Sequence, residues 1–158
     1  MSSPDVGGQT AGQTENGLGV DMNLEVVTLP VADVDRSKAF YQSLGWRLDI
    51  DLVISDEARS VQFTPPHSGC SIQFGKGRTA AEPGSAQAMI LVVNDIDAAR
   101  DDLINRGVDV SEVQEMKPPG FDAPGRSYFA RASFSDPDGN GWELQEITTR
   151  LPGRTWED

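Results

Sequence analysis

The chain is poor in the residues from which reactive centres are usually built. Its 158 residues include one histidine, His67, and one cysteine, Cys70. A single cysteine makes no internal disulfide, so burial and hydrogen bonds must hold the fold. A single histidine excludes a multi-histidine metal centre and most histidine-based acid/base machinery within one chain. Basic residues are also scarce: 13 Lys plus Arg against 25 Asp plus Glu give a formal net charge of −12. That balance argues against nucleic acid or a membrane surface as a partner, because phosphates and anionic headgroups are repelled at long range. No stretch approaches the roughly 18 consecutive apolar residues of a membrane span.

The first 21 residues are rich in Gly, Ser, Thr and Gln, contain Asp5, Glu15 and Asp21, and have no Lys or Arg. A segment of this composition cannot bury enough apolar surface to offset chain entropy and is expected to be a disordered leader. It lacks the basic and apolar regions of a secretory signal and the arginines of a transit peptide, so a cytoplasmic protein is expected. Folding should begin near Met22.

From there the chain repeats itself. VVTLPVADVD at 26–35 followed by RSKAFYQSLGW matches AMILVVNDID at 88–97 followed by AARDDLINRGV. Asp33 maps to Asp95, Asp35 to Asp97 and Gly45 to Gly107, each at an offset of 62. A constant offset over matching structural signals marks a duplicated module. In each copy a strand with alternating faces (Val27, Leu29, Val31; Met89, Leu91, Val93) precedes an aspartate suited to N-cap a helix. The helix runs about ten residues, with Phe40 and Leu44, or Ile96, Ala99 and Leu103, on one face, and a glycine closes it. Three strand-like runs follow: 46–52, 59–64 and 70–74 in the first copy, and 108–116, 127–134 and 142–147 in the second. PPHSG and DPDGN join the last two runs of each copy and have turn chemistry.

The expected class is therefore α+β, with two tandem βαβββ modules at 22–75 and 88–148, a linker at 76–87 and a tail at 149–158 in which Trp156 is a possible anchor. The segment 117–126, KPPGFDAPGR, is either a rim over a site or a solvated excursion.

These features resemble the vicinal oxygen chelate superfamily. The resemblance rests on the two βαβββ modules, the strand–D-x-D–helix start with R-S-K-A-F-Y and L-G-W, and the closing D-P-D-G-N-x-W-E-L. It covers about 22–148 of this chain. That group includes glyoxalase I, bleomycin-resistance proteins and extradiol dioxygenases. It implies a cup-shaped mixed sheet with helices outside and a ligand inside, and often a homodimer, the cup lying within one chain or shared between two. Chemistry does not follow from the fold.

Metal-dependent members place ligands on the first and last strands of each module. The corresponding residues here are Val26, Gln73, Ala88 and Glu143. Two aliphatic side chains, one amide and one carboxylate do not hold a transition metal tightly. No metal centre and no cofactor are therefore expected. His67, in the PPHSG turn, is expected in solvent, and Cys70 as a buried, inert thiol.

Strand alternation places Ile72, Phe74, Trp142 and Leu144 under the helices. It turns Val26, Thr28, Ser71, Gln73, Ala88, Ile90, Val92, Glu143 and Gln145 into the cup. Gln62 and Arg131, on the third strands, are further ligand-binding candidates. Tyr128 and Phe129 follow the Pro/Gly segment as aromatic rim candidates, whereas Trp46 and Trp142 are expected in the core. Small apolar walls with a few amide, hydroxyl and carboxylate groups suit a small organic molecule. Glu143 is the one candidate catalytic residue, because a carboxylate among apolar walls can act as a general base. The competing reading pairs it structurally with Arg131 or Arg126. Two functions remain open. One is a metal-independent protein that sequesters or positions a small ligand. The other is a metal-independent lyase, isomerase or cyclase that uses Glu143 as acid/base.

Overall fold

The structure, a computed structural model, describes residues 19–120 and 125–151. Most of the expected leader, the middle of the Pro/Gly segment and the end of the tail, including Trp156, lie outside the described residues. Residues 24–148 form one compact unit that holds every helix and strand described below. No helix among the described residues is long and apolar enough to cross a membrane.

The element order is β1 (Val26–Thr28), α1 (Val34–Ser43), β2 (Arg47–Ser55), β3 (Ala58–Thr64), β4 (Ser71–Lys76), β5 (Met89–Val93), α2 (Ile96–Asn105), β6 (Gln114–Glu115), β7 (Ala130–Ser135) and β8 (Gly141–Glu146). These make two four-stranded mixed sheets with the same order, β1-β4-β3-β2 and β5-β8-β7-β6. In each sheet the first strand lies parallel to the last, and the other neighbours are antiparallel. The architecture is α+β, two tandem modules forming a cupped sheet.

Local chemistry accounts for the helix ends. The Asp33 carboxylate accepts from the Arg36 backbone N–H, and Asp95 does the same for Ala98, at 3.1 and 3.0 Å. Each bond satisfies one of the orphan donors of a helix N-terminus. Both helices are ten residues long. Gly45 and Gly107 follow them at φ 80° and 88°, a conformation that costs glycine little and other residues more.

Each helix packs on one face of its own sheet, α1 against β3 and β4, and α2 against β7 and β8. Val61, Phe63, Ile72 and Phe74 are buried on that face of the first sheet, and Ala130, Ala132, Phe134, Trp142 and Leu144 on that face of the second. Burying one such large side chain stabilises the fold by about 1.5–3 kcal/mol. Cys70 is half-buried rather than buried, and His67 is exposed in its turn.

The helix residue that organises the core is Tyr41, which is fully buried, rather than its neighbour Phe40, which is half-buried. Its ring lies 5.7 Å from Phe74 and 6.2 Å from Trp142, so one side chain reaches both modules. Trp46 and Trp142 meet edge to face at 5.2 Å, as core residues do. The Tyr41 hydroxyl donates to Asp136 Oδ2 at 2.8 Å and accepts from Trp142 Nε1 at 3.0 Å. Burial, and then the negative charge of Asp136, push the phenol far above its usual range, so it stays protonated and donating.

The 136–140 turn completes this joint. Asp136 Oδ1 accepts from the backbone N–H groups of Asp138 and Asn140. The Asn140 amide donates to Asp136 and to the Pro30 carbonyl, and accepts from the Ala86 N–H. Asp138 accepts from the Ala32 N–H, Arg36 and Ser37. The second module thus holds the start of α1 in the first by directional bonds.

Two of the expected strand runs are shorter than the sequence suggests. The run 108–116 forms a strand only at Gln114–Glu115. Val108 and Val110 are buried, but Ser111 replaces regular pairing: its N–H donates to the Ser133 carbonyl, and its hydroxyl accepts from the Ser133 N–H. The run 127–134 becomes strand only at Ala130, because Tyr128 has φ 72° and Phe129 turns back to the Arg126 carbonyl.

Candidate ligand-binding site

The sheet faces away from the helices carry the polar candidates, and the seven fall into two groups. Thr28, Gln62 and Gln73 lie on the first sheet. Arg131, Glu143 and Gln145 lie on the second, beside Tyr128. No hydrogen bond or ion pair among the described residues joins one group to the other.

On the first sheet, register sets Gln73 beside Thr28 on β1 and Gln62 on β3. Gln73 Nε2 donates to Thr28 Oγ1 at 2.9 Å, and its Oε1 accepts from Arg78 at 3.2 Å. Gln62 Nε2 donates to Asp49 Oδ2 at 3.3 Å. Asp49 also accepts from the Thr64 hydroxyl, which meets Ser71 Oγ at 2.6 Å. Burial acts to raise the Asp49 pKa, but hydrogen bonds from Thr64, Arg47 and Gln62 outweigh it and hold the carboxyl below its usual range. Asp49 was not among the sequence candidates, and alternation hides it. It shares parity with Asp51, yet a bulge between Leu48 and Ile50 puts the two on opposite faces. Asp51 instead bonds Lys38 of α1 and Arg59. Ile50, Leu52 and Ile54, 44–64% exposed, extend the strand beside Asp49.

On the second sheet Glu143 pairs with Arg131, Nη1 to Oε1 at 3.2 Å, the side chains 26% and 45% exposed. Of its two expected partners Glu143 therefore takes Arg131. Arg126 goes elsewhere, to Glu146, Asp97 and Glu115. The hydrogen bonds that Arg126 donates, to Glu146 first and then to Asp97, raise its pKa further above its already high value. Glu146 in turn accepts from the Ile96 N–H, which ties β8 to the start of α2. Gln145 Nε2 donates to the Tyr128 carbonyl at 3.0 Å. Tyr128 is half-buried, but Phe129 is buried with Lys117 Nζ 5.6 Å from its ring centre, so it is no rim residue. Ile90 and Val92, side by side in register with Glu143 and Gln145, are 47% and 44% exposed.

A crevice of about 290 Å³ lies where residues from both modules meet, with Val27, Ser71, Ile72, Met89, Ile90 and Trp142 among its walls. Cys70 also lines it. Burial, then the charge of Glu25, raise the thiol pKa, which keeps the thiolate form scarce.

The four positions that carry metal ligands in the resembling superfamily hold Val26, Gln73, Ala88 and Glu143. Only two of these have donor atoms, and both already engage protein groups. This donor set does not fit a zinc or non-haem iron centre. Among the described residues, no three His, Cys, Asp or Glu side chains gather into a group that could hold a metal ion.

A family model for the Glyoxalase/Bleomycin resistance protein/Dioxygenase superfamily matches residues 23–144. The chain belongs to that superfamily. Solved structures of the superfamily fold align over most of the chain. TnmS3, an antibiotic binding protein from Streptomyces sp. CB03234, is 27% identical with a TM-score of 0.66, covering 82% of this chain and 99% of that one. A glyoxalase/bleomycin resistance protein from the same Streptomyces strain is 28% identical with a TM-score of 0.61, covering 78% and 99%. A lactoylglutathione lyase from Agrobacterium tumefaciens, 16% identical with a TM-score of 0.58 over 80% and 94%, shares the fold. No curated protein matches the chain.

Proposed function

We propose that this superfamily member is a metal-independent, cytoplasmic binding protein that holds a small organic molecule in its cup. The observation that supports this most directly is the side-chain order on the two open faces. Polar groups are fixed by hydrogen bonds beside exposed Ile50, Leu52, Ile90 and Val92. Pre-set polar groups among apolar walls orient a ligand without large ordering costs. The antibiotic bound by TnmS3 favours the same class of function. Thr28, Gln62, Gln73, Tyr128, Arg131 and Gln145 are the proposed ligand contacts, and exposed Val53 and Ile54 at the end of β2 favour a homodimer. Native mass spectrometry of protein purified without chelator should find a co-purified organic molecule and no stoichiometric transition metal. Stoichiometric metal would overturn the metal-independent reading.

A second reading, a metal-independent lyase, isomerase or cyclase, draws on Glu143. One of its carboxylate oxygens meets Arg131, and the other receives no bond from a described residue. Glu143→Gln separates the two readings once the ligand is in hand. Binding within about threefold of wild type, with no turnover to lose, is expected for a binding protein. A loss of turnover of about 100-fold or more marks the enzyme.

A further inference from the structure

The crevice where the two modules meet has a chemistry of its own. None of the polar ligand contacts proposed above lines it, and no charged side chain is among its walls. Its polar members are Ser68, Cys70, Ser71 and Trp142, and each has a single side-chain proton to donate. Those protons are committed within the protein. Trp142 Nε1 donates to the Tyr41 hydroxyl at 3.0 Å, and Ser68 Oγ donates to the Cys70 carbonyl at 2.7 Å. The Cys70 thiol donates to the Ser71 carbonyl, with 3.6 Å between sulfur and oxygen.

For Ser71 the direction follows from its neighbours. Its Oγ lies 2.6 Å from Thr64 Oγ1, and taken alone either hydroxyl could donate. Asp49 decides between them. Its carboxylate accepts from Thr64, Arg47 and Gln62 and is held below its usual pKa range, so it has no proton to give. The one Thr64 proton therefore goes to Asp49, and Ser71 must donate to Thr64. Ser71 Oγ keeps only lone pairs for any further partner, and no described residue donates to it. It is a buried side chain in an otherwise apolar wall, where a hydrogen bond is stronger than in water.

We propose that this crevice binds a compact, uncharged molecule with a hydroxyl on an apolar body, and that Ser71 Oγ accepts the hydroxyl proton. The volume of about 290 Å³ is at the lower end of the range for organic ligands, about 300–1,000 Å³, and suits one ring with a short side chain. Val27, Ile72, Met89 and Leu91 supply apolar cover for that body. An ionised group would lose its hydration here and find no opposite charge on the walls.

Isothermal titration with 4-propylphenol and 4-propylanisole tests this, because the ether keeps the body and the oxygen but has no proton to donate. The wild-type protein should bind the phenol about tenfold more tightly than the ether. Ser71→Ala should bring the two within about twofold. Thr64→Val returns the Ser71 proton to the crevice while Asp49 keeps Arg47 and Gln62, so it should tighten the ether several-fold. A purely structural role for Thr64 would weaken both ligands alike. Cys70, the one cysteine of the chain and a wall of the crevice, reports where the phenol sits. Saturating phenol should slow its alkylation by N-ethylmaleimide about tenfold. Equal wild-type affinity for phenol and ether overturns the proposal. So does phenol binding that leaves Cys70 as reactive as before, or no binding of the phenol at millimolar concentration. The open-face reading stands or falls separately, on the co-purified molecule.

Discussion

The two turns that join the last strands of each module occupy equivalent places and do different work. In the second module, turn 136–140 buries Asp136 and Asn140 and sends bonds to Tyr41, Pro30, Ala32, Arg36, Ser37 and Ala86. In the first, turn 65–69 bonds locally, from Ser68 to the Pro65 and Cys70 carbonyls. It meets the second module through Pro65 and Pro66, beside Leu91 and Leu103 along an apolar cleft of about 240 Å³. A duplicated fold can therefore load its joint on one side. Directional bonds from one turn fix the angle between modules, and non-directional apolar contact from the other fills the space.

Three measurements would break or sharpen that contrast. Asp136→Ala leaves the Tyr41 hydroxyl, the Asn140 amide and two backbone N–H groups without their acceptor. Urea unfolding should show a loss of about 3–5 kcal/mol. A loss under about 1 kcal/mol would mean the joint does not depend on this turn.

The next effect is set by pH. Hydrogen bonds from Arg59 and then Lys38 lower the Asp51 pKa to about 2. Its unfolded value is about 4, so the native state binds this proton less readily. The resulting stability is present above pH 4 and is lost as pH falls toward 2. The second module has Val113 at the corresponding position and lacks this contribution. At pH 3, hydrogen exchange should open the β2–β3 amides before those of β7–β8, and Asp51→Asn should remove the difference between pH 6 and pH 3. The smallest effect is expected at the first turn, where His67→Gly relieves a positive φ of 63° at an exposed site. Thermal unfolding should register a change within about 1 kcal/mol.

The parts of this molecule that were legible in the sequence depend on near neighbours in the chain. Asp33 and Asp95 cap helices whose first N–H groups lie three residues away, and Gly45 and Gly107 end them. Ile72, Phe74, Trp142 and Leu144 face the core because strand alternation is a local rule. What was not legible depends on distant partners or on breaks in that rule. Phe40 reads as the more apolar helix position, but Tyr41 is the buried one, because its hydroxyl finds Asp136 95 residues later. Asp49 reads as a neighbour of Asp51 until a bulge turns it to the other face. The same limit applies at the site: Glu143 could be seen to need an arginine, but only the pairing of β7 with β8 brings Arg131 beside it and leaves Arg126 to Glu146.

The Tyr41–Asp136 bond also bears on how the chain is made. Synthesis proceeds from the N-terminus, and domains commonly fold as they emerge. Here the first module emerges with Tyr41 lacking both its acceptor and the indole of Trp142. Its core therefore stays incomplete until Asp136 and Trp142, 95 and 101 residues later, have left the ribosome. The high sequence separation of this contact makes folding late and collective. The two copies, though alike in plan, are born as dependents rather than as independent units.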